Sequence, residues 1–528
     1  MKKTVLKWLW VRVLNSNNKI KVMTLKIYRS FLFVSFFLTF FSCKKDLGNY
    51  DYTELNTLEE ITGLPEEVSS IYGKNLKITP QIKFTQDPSF DESKYSFEWT
   101  YIGPNGLGGS KLFTLANTRN LDLIMQVVAG TYSAYYTITE KNSGVKYSNR
   151  FTLKVVNEIN EGWLMMNEVN GKARVDMLSL NASNNFDLII DLLAATGSEL
   201  KLQGKPIMTY TYNTGVLIGP DAISYGIYFG TDQGTTKVDP NTFKWTRTMG
   251  LSYEMFGDVP SGFYADLIRQ KQGGTAYMIG KGNAYYYERA LNIYYSAPIN
   301  YITAEQKSFE VEPFIASDPV SAIAISIFYD KTNRRFVRHS GSAVTSTTIP
   351  DPDPAQKLFS FNTGMDLVYM RWIPFNGGEV FSVLKSPVNN KRYLARFNPS
   401  NNAQSYYSEI VATDFSSAEF YAINPEFGYI FYAVGSKIYQ YDMVYKTTKL
   451  MVNLGAKKIS YFDFYEFKRA SKYTGGNKLM VGLFDPGISD GTEGSLNIYT
   501  VPSLNGDIVL EKSYSGFGRI KSLTYRER

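Results

Sequence analysis

Between residues 58 and 157 apolar and polar positions alternate with a period of two, the pattern of strands that bury one face. Leu76, Ile78, Ile82 and Phe84 fall on one face of a predicted strand, and Tyr95, Phe97, Trp99 and Tyr101 on one face of the next. Gly103-Pro104-Asn105-Gly106 ends that strand. Further on, Tyr132, Ala134, Tyr136 and Ile138 alternate with Ser133, Thr137 and Thr139, and Lys141-Asn142-Ser143-Gly144 turns the chain into Phe151–Val155. Short strands at this spacing, over about 100 residues, predict an antiparallel sandwich.

From Glu161 onward the pattern becomes a degenerate repeat of apolar strand, Gly/Asn/Pro turn, apolar strand and turn. First strands of successive units are predicted near Ile207, Tyr264, Ala322, Leu367, Phe420 and Tyr461, about 51 residues apart. That period is close to the 40–50 residues of a four-stranded propeller blade. Trp163–Leu180 at the front and Arg519–Tyr525 at the end are each incomplete, and together they make a further unit. An all-β chain is expected, a sandwich followed by a seven-bladed β-propeller closed by its C-terminal strand. Eight blades are the variant if residues 185–202 form a unit of their own, and a pair of stacked sandwiches is the competing architecture.

The 40 Tyr, 34 Phe and 41 Gly agree with strand-rich structure. Ahead of all this, an apolar run from Phe31 to Phe41 follows Lys26 and Arg29 and ends at Cys43, the only cysteine. A run this short has the length of an export signal rather than of a membrane span. A cysteine at its end reads as the lipid acceptor of a bacterial lipoprotein. Residues 1–42 are read as the signal, with Met23 as the working start, and 43–57 as a lipidated tether. The sandwich is assigned to 58–157 and the propeller to 161–528. Residues 1–42 hold eight Lys and Arg and no acid, so their removal takes the formal charge from +7 to −1. The remaining 486 residues carry no basic footprint for nucleic acid.

Phe97-Glu98-Trp99 followed by Gly130-Thr-Tyr-Ser-Ala-Tyr-Tyr-Thr-Ile-Thr-Glu140 resembles the closing strands of PKD-type immunoglobulin-like domains, although the Gly-Asp-Gly turn common after the Trp strand is missing. Cys43-Lys-Lys-Asp-Leu-Gly-Asn-Tyr-Asp-Tyr52, the sandwich, and Glu161-Gly-Trp-Leu-Met-Met-Asn-Glu168 opening a long β region together resemble the PKD-like lipoproteins of Bacteroidota. The resemblance implies a PKD/Ig-like first domain, an outer-membrane location facing the exterior, and work beside a SusC/SusD-type nutrient importer.

Candidate chemistry is sparse. His339 is the only histidine and lies in a basic strand, Arg334-Arg-Phe-Val-Arg-His339, where an exposed side chain is expected; a Ser-His-Asp site or a His/Cys zinc site has little to build on. Glu254, Asp258, Asp266, Asp366, Glu419 and Asp463 lie near strand starts. They are read as turn caps and solvated edges, with a carboxylate-pair glycosidase or lyase as the alternative. Asp485, Asp490 and Glu493 share a Gly-rich loop that offers oxygen ligands to calcium or serves as a plain hairpin turn. Trp372, Tyr294, Tyr295, Tyr406 and Tyr407 lie near turns and are the candidate contacts for a glycan or peptide, because an aromatic face stacks on a sugar ring or anchors a side chain. Trp99 and Trp163 are expected in the core. A non-catalytic binding role without a cofactor other than the lipid is the expected function.

Overall fold

The computed structural model describes residues 55–105, 109–181, 183–213, 225–271, 274–288, 295, 297–319, 321, 324–341, 343–468 and 472–528. The export signal, Cys43 and most of the tether lie outside the described residues.

Five strands make the main sheet of the first domain, in the order Glu67–Ile71, Lys146–Val156, Gly130–Glu140, Tyr95–Pro104 and Ser110–Ala116. The first pair is parallel and the others antiparallel. Trp99 is fully buried, its ring 4.1 Å from that of Tyr136 and edge-on to Phe151. Both polar handles are satisfied: Trp99 Nε1 donates to Thr118 O at 2.8 Å and the Tyr136 hydroxyl to Arg119 O at 3.0 Å. Aromatic bulk thus fills the core while the indole and phenol groups pin the 117–120 loop. The predicted single strand over residues 76–84 is two. Asn75–Ile78 pairs with Leu121–Ile124, and Gln81–Phe84 pairs with Leu58–Thr62. Pro80 lies between them and lacks the N–H that a continuous ladder needs.

Among the described residues eight sheets follow: seven are blades, and the eighth is a two-stranded pair, Tyr301–Ile302 with Lys307–Ser308. Blade 1 takes its axial strand, Arg519–Arg526, from the C-terminus and continues with Gly162–Val169, Lys172–Leu180 and Phe186–Ile189. Blades 2 and 3 begin with Pro206–Asn213 and Leu267–Gln270, and blades 5, 6 and 7 with Asp366–Ile373, Phe420–Ile423 and Lys458–Phe464. Residues 185–202, the eighth-blade candidate, instead supply the outer strand of blade 1 and a short helix, Leu192–Ala195. Blade 4 differs. Its regular strands start at Ile325–Asp330, and the axial position is taken by an irregular segment held through bridges Val311↔Asp330 and Ala316↔Ile327. Pro313 in that segment breaks the ladder, which is why the sequence pattern points to the second strand of this blade as its first.

Alternation explains how the blades pack. Trp163 and Met165 enter an apolar cluster shared with blade 7, while Leu164 and Met166, on the opposite face, enter one shared with blade 2. Each strand buries both faces, so Gly162-Trp-Leu-Met-Met reads as a continuous apolar run rather than an alternating one. Similar clusters join blades 2 to 3, 3 to 4, 4 to 5, 5 to 6 and 6 to 7, so that seven cores close on themselves. One ion pair is buried in blade 2: Lys237 Nζ meets Glu254 Oε1 at 2.5 Å, and the Tyr228 hydroxyl donates to Glu254 Oε2 at 2.6 Å.

Ring closure rests on one pairing. Arg519–Arg526 runs antiparallel to Gly162–Val169, with Trp163 opposite Tyr525 and Met165 opposite Leu523. Arg526 is fully buried, and its guanidinium donates to Ile159 O and Pro240 O. Arg526→Ala removes two bonds from a fully buried charged donor and empties its site, and is expected to lower unfolding stability by about 3 kcal/mol or more, because bonds from charged donors are the costly ones to lose. Urea titration of the two proteins checks this; a change within about 0.5 kcal/mol, the size of an ordinary surface substitution, would contradict it.

Candidate functional site

The axial strands of blades 5, 6 and 7 end together. Ile373, Ile423 and Phe464 are their last residues, and all three line one cavity of about 560 Å³. Pro374 and Pro425 follow closely; each lacks an N–H, so the chain leaves the sheet there and opens a mouth. The wall is completed by Trp372, Tyr465, Phe467 and Tyr473. Phe467 stacks on Tyr473 with centroids 5.3 Å apart and meets Tyr465 edge-on at 4.9 Å, and Tyr525 of the closing strand packs against both Phe467 and Tyr473. Trp372 needs Gly378 beside it. That residue has φ 98°, and a Cβ there would lie 2.9 Å from the indole Cζ2, so only glycine fits on both counts.

Two further cavities, of about 190 and 120 Å³, line the axis below. All three share Arg371 and Glu466, which stand at the junction between mouth and channel. Arg371 is committed: Nη1 donates to Asp463 Oδ1, and Nη2 to Phe464 O at 2.7 Å. Glu466 is not. Its ion-pair contact is Arg269 Nη1 at 3.9 Å, too long for a hydrogen bond. Tyrosines complete the channel wall. Burial pushes the Tyr369 hydroxyl up to about 12, and burial followed by the Asp463 carboxylate pushes that of Tyr461 well up. Such phenols stay protonated at neutral pH; they can donate hydrogen bonds but do not act as bases. Lys468 Nζ donates to the Tyr465 hydroxyl at 3.0 Å and lies 4.4 Å from the Tyr210 ring centroid.

Of the aromatic candidates, Trp372 reaches the mouth. Tyr294 lies outside the described residues. Tyr295 is fully buried between blades 2 and 3, its hydroxyl 3.4 Å from that of Tyr212, and is closed to ligand. Tyr406 and Tyr407 are on Gln404–Glu409, the outermost strand of blade 5, away from the axis. Tyr406 donates to Met443 O at 2.9 Å, and Tyr407 stacks on Tyr393. Both serve packing. In the Asp485–Glu493 loop, Asp485 accepts from Gly487 N and Asp490 from Thr492 N within the loop's own turns, while Glu493 Oε2 is buried without a hydrogen-bond partner. Among the described residues no three His, Cys, Asp or Glu side chains form a metal-binding group.

The strand-start carboxylates divide. Asp463 lies in the channel and Glu254 in a buried ion pair. Asp366 pairs with Arg334, and Glu419 accepts from Gly435 N. Glu466, Arg269, Phe467 and Tyr473 were not singled out from the sequence. Glu466 and Phe467 sit just past a strand end and Tyr473 in a loop, where no period marks them.

Fold and site together define a seven-bladed propeller with an aromatic axial mouth, preceded by a β-sandwich. Residues 43–206 match the model of the PKD-like family. The match spans the sandwich and three of the four strands of blade 1. None of the curated proteins matches the chain. Among solved structures the chain is similar to a quinonprotein alcohol dehydrogenase-like protein from Bacteroides thetaiotaomicron, at 10% identity and TM-score 0.39, over 90% of this chain and 100% of that one. A protein from Lactobacillus plantarum is similar at 10% identity and TM-score 0.42, over 70% and 100%. The extracellular domain of a one component system from B. thetaiotaomicron is similar at 11% identity and TM-score 0.36, over 85% and 68%. Likenesses this distant carry no functional inference. Among the described residues no helix is long and apolar enough to cross a membrane.

His339 corrects a sequence expectation. It is buried between blades 3 and 4 rather than exposed, with Nδ1 2.9 Å from the Tyr277 hydroxyl and Nε2 2.6 Å from Ala343 O. A neutral ring satisfies both contacts, with Nε2–H donating and Nδ1 accepting. Burial, with a smaller push from Lys271, lowers its pKa from 6.5 to about 4, against the bond to Ala343. Because the folded value is the lower one, its contribution is complete above pH 6.5 and is lost as pH falls from 6.5 towards 4. A loss of about 3 kcal/mol is expected over that window. His339→Gln should flatten the pH dependence of the urea midpoint between pH 6.5 and 4; an unchanged slope would contradict it.

Proposed function

We propose that this chain is a lipid-anchored binding protein of the outer membrane, facing the exterior, that captures a small ligand or the end of a larger one at its axial mouth. It would serve as a non-catalytic accessory to a nutrient importer of the SusC/SusD type. The observation that carries the capture reading is the aromatic cavity of about 560 Å³, joined to the channel at Arg371 and Glu466. Its size and apolar, aromatic walls are those of a ligand site, with a few polar groups to orient what binds. The surrounding blades are closed by packed cores, so the mouth is held open before ligand arrives and little ordering entropy is lost on capture. The lipid at Cys43 would keep captured ligand near the membrane.

A second reading has one observation in its favour. Glu426 and Glu466 both line the mouth, and two carboxylates facing one cavity is what a glycosidase or lyase requires. Against it, Glu426 accepts from Asn477 Nδ2 at 2.8 Å, so only Glu466 of the two is without a hydrogen bond among the described residues.

Binding and hydrolysis assays on one panel of oligopeptides and oligosaccharides separate the two. Capture predicts saturable binding with no product, and Trp372→Ala should weaken it at least about tenfold, as loss of a central aromatic anchor does, while the far-UV spectrum of the folded protein is kept. Cleaved products that vanish in Glu466→Gln would establish the enzyme instead. Recovery of a SusC/SusD-type pair with the lipidated protein from native outer membrane would support the importer link, and recovery of the protein alone would count against a stable complex.

A further inference from the structure

The charges at the mouth do not cancel, and the imbalance says what the mouth takes. Glu426 and Glu466 line it, and the one cation among its described lining residues, Arg371, is already neutralised by Asp463 and the carbonyl of Phe464. Glu466 accepts no hydrogen bond among the described residues, and Arg269 stands off at 3.9 Å. Its carboxylate is therefore half-buried with vacant acceptor positions, a state that a ligand donor would relieve. Around it stand Trp372, Phe467 and Tyr473, whose ring faces carry the negative side of the aromatic quadrupole.

Carboxylates not hydrogen-bonded to a cation, set among aromatic faces, attract one chemistry above others: a positive charge on an apolar stem. The charge finds Glu466 and Glu426, and the stem lies on the rings. Around the mouth the chain makes the same pairing with its own lysines. Lys472 Nζ lies 4.9 Å from the Tyr473 ring centroid, and Lys468 Nζ lies 5.3 Å from that of Tyr465. An anionic ligand would find Arg371 taken, and Lys468 and Lys472 beside the mouth donating to the Tyr465 hydroxyl and to Arg528 O.

We propose that the axial mouth binds an organic cation carried on an apolar stem, either the lysine or arginine side chain of a peptide or a free alkylammonium compound. This inference rests on the capture reading above and narrows it. A sugar, which needs many free polar partners and no charge, fits less well.

The test is calorimetric titration of the full chain at low salt with four probes: acetyl-Ala-Lys-Ala-amide, the same peptide with norleucine in place of lysine, the same peptide with glutamate, and choline. The lysine peptide is expected to bind at least about tenfold more tightly than the norleucine peptide, with the glutamate peptide weakest. Glu466→Gln combined with Glu426→Gln should bring lysine and norleucine within about threefold of each other and leave norleucine binding unchanged, which a merely structural role of the two acids would not do. Choline binding as tightly as the lysine peptide would support the inference and assign the free ammonium source; choline binding much more weakly would support it and assign the peptide source. Norleucine or glutamate binding as tightly as lysine would overturn the cation inference while capture at the mouth stands. If none of the four binds, the cation inference is overturned, and the oligosaccharide arm of the earlier panel then decides whether capture falls with it.

Discussion

Everything in the propeller depends on the pairing of Arg519–Arg526 with Gly162–Val169. An open run of seven twisted sheets leaves an unpaired edge and an unshared apolar face at each end, both of which invite association with other chains. Supplying the axial strand of blade 1 from the C-terminus removes both problems. Trp163, Tyr465 and Tyr525 then meet edge-on, with Trp163 5.0 Å from Tyr465 and 4.8 Å from Tyr525, so first blade, last blade and closing strand share one core. Since the contacts closing the ring are separated by most of the chain length, they form at a high entropic cost and hold the fold only when all blades are present.

The same closure builds the mouth. Tyr525 packs against Phe467 and Tyr473, and Thr524 accepts or donates at the Tyr465 hydroxyl, 3.1 Å away, so the aromatic wall is braced by the closing strand. Beyond that wall, Arg528 N donates to the Tyr473 hydroxyl at 2.9 Å. The mouth, assembled from three strand ends and the described residues that follow the last of them, is braced by a strand that does not itself line it. Charge placement follows from geometry: residues on alternate positions of the axial strands either enter an interblade core or face the channel, and Arg269, Arg371 and Asp463 are on the channel side.

How much of this was legible follows from where each residue sits. Blade starts at Leu367 and Phe420 were readable to within a residue because the strands bury both faces and Gly, Asn and Pro interrupt them; blade 4 was misplaced because its axial segment, broken at Pro313, has no strand pattern to read. Tyr406 and Tyr407 looked exposed beside their turn, yet the outer strand of a blade still packs on its neighbour. His339 looked exposed because its partner, Tyr277, comes from another blade and leaves no local mark. Trp372 was visible as an aromatic near a turn, whereas Glu466, Phe467 and Tyr473 become a site only when three blades and a loop converge, a relation that no local period encodes.

Hydrogen exchange tests ring closure most directly. If the terminal strand is integral, amides of residues 520–524 should exchange as slowly as those of 164–166, opening only with global unfolding. Exchange of 520–524 at the rate of a frayed terminus, with 164–166 still protected, would contradict it.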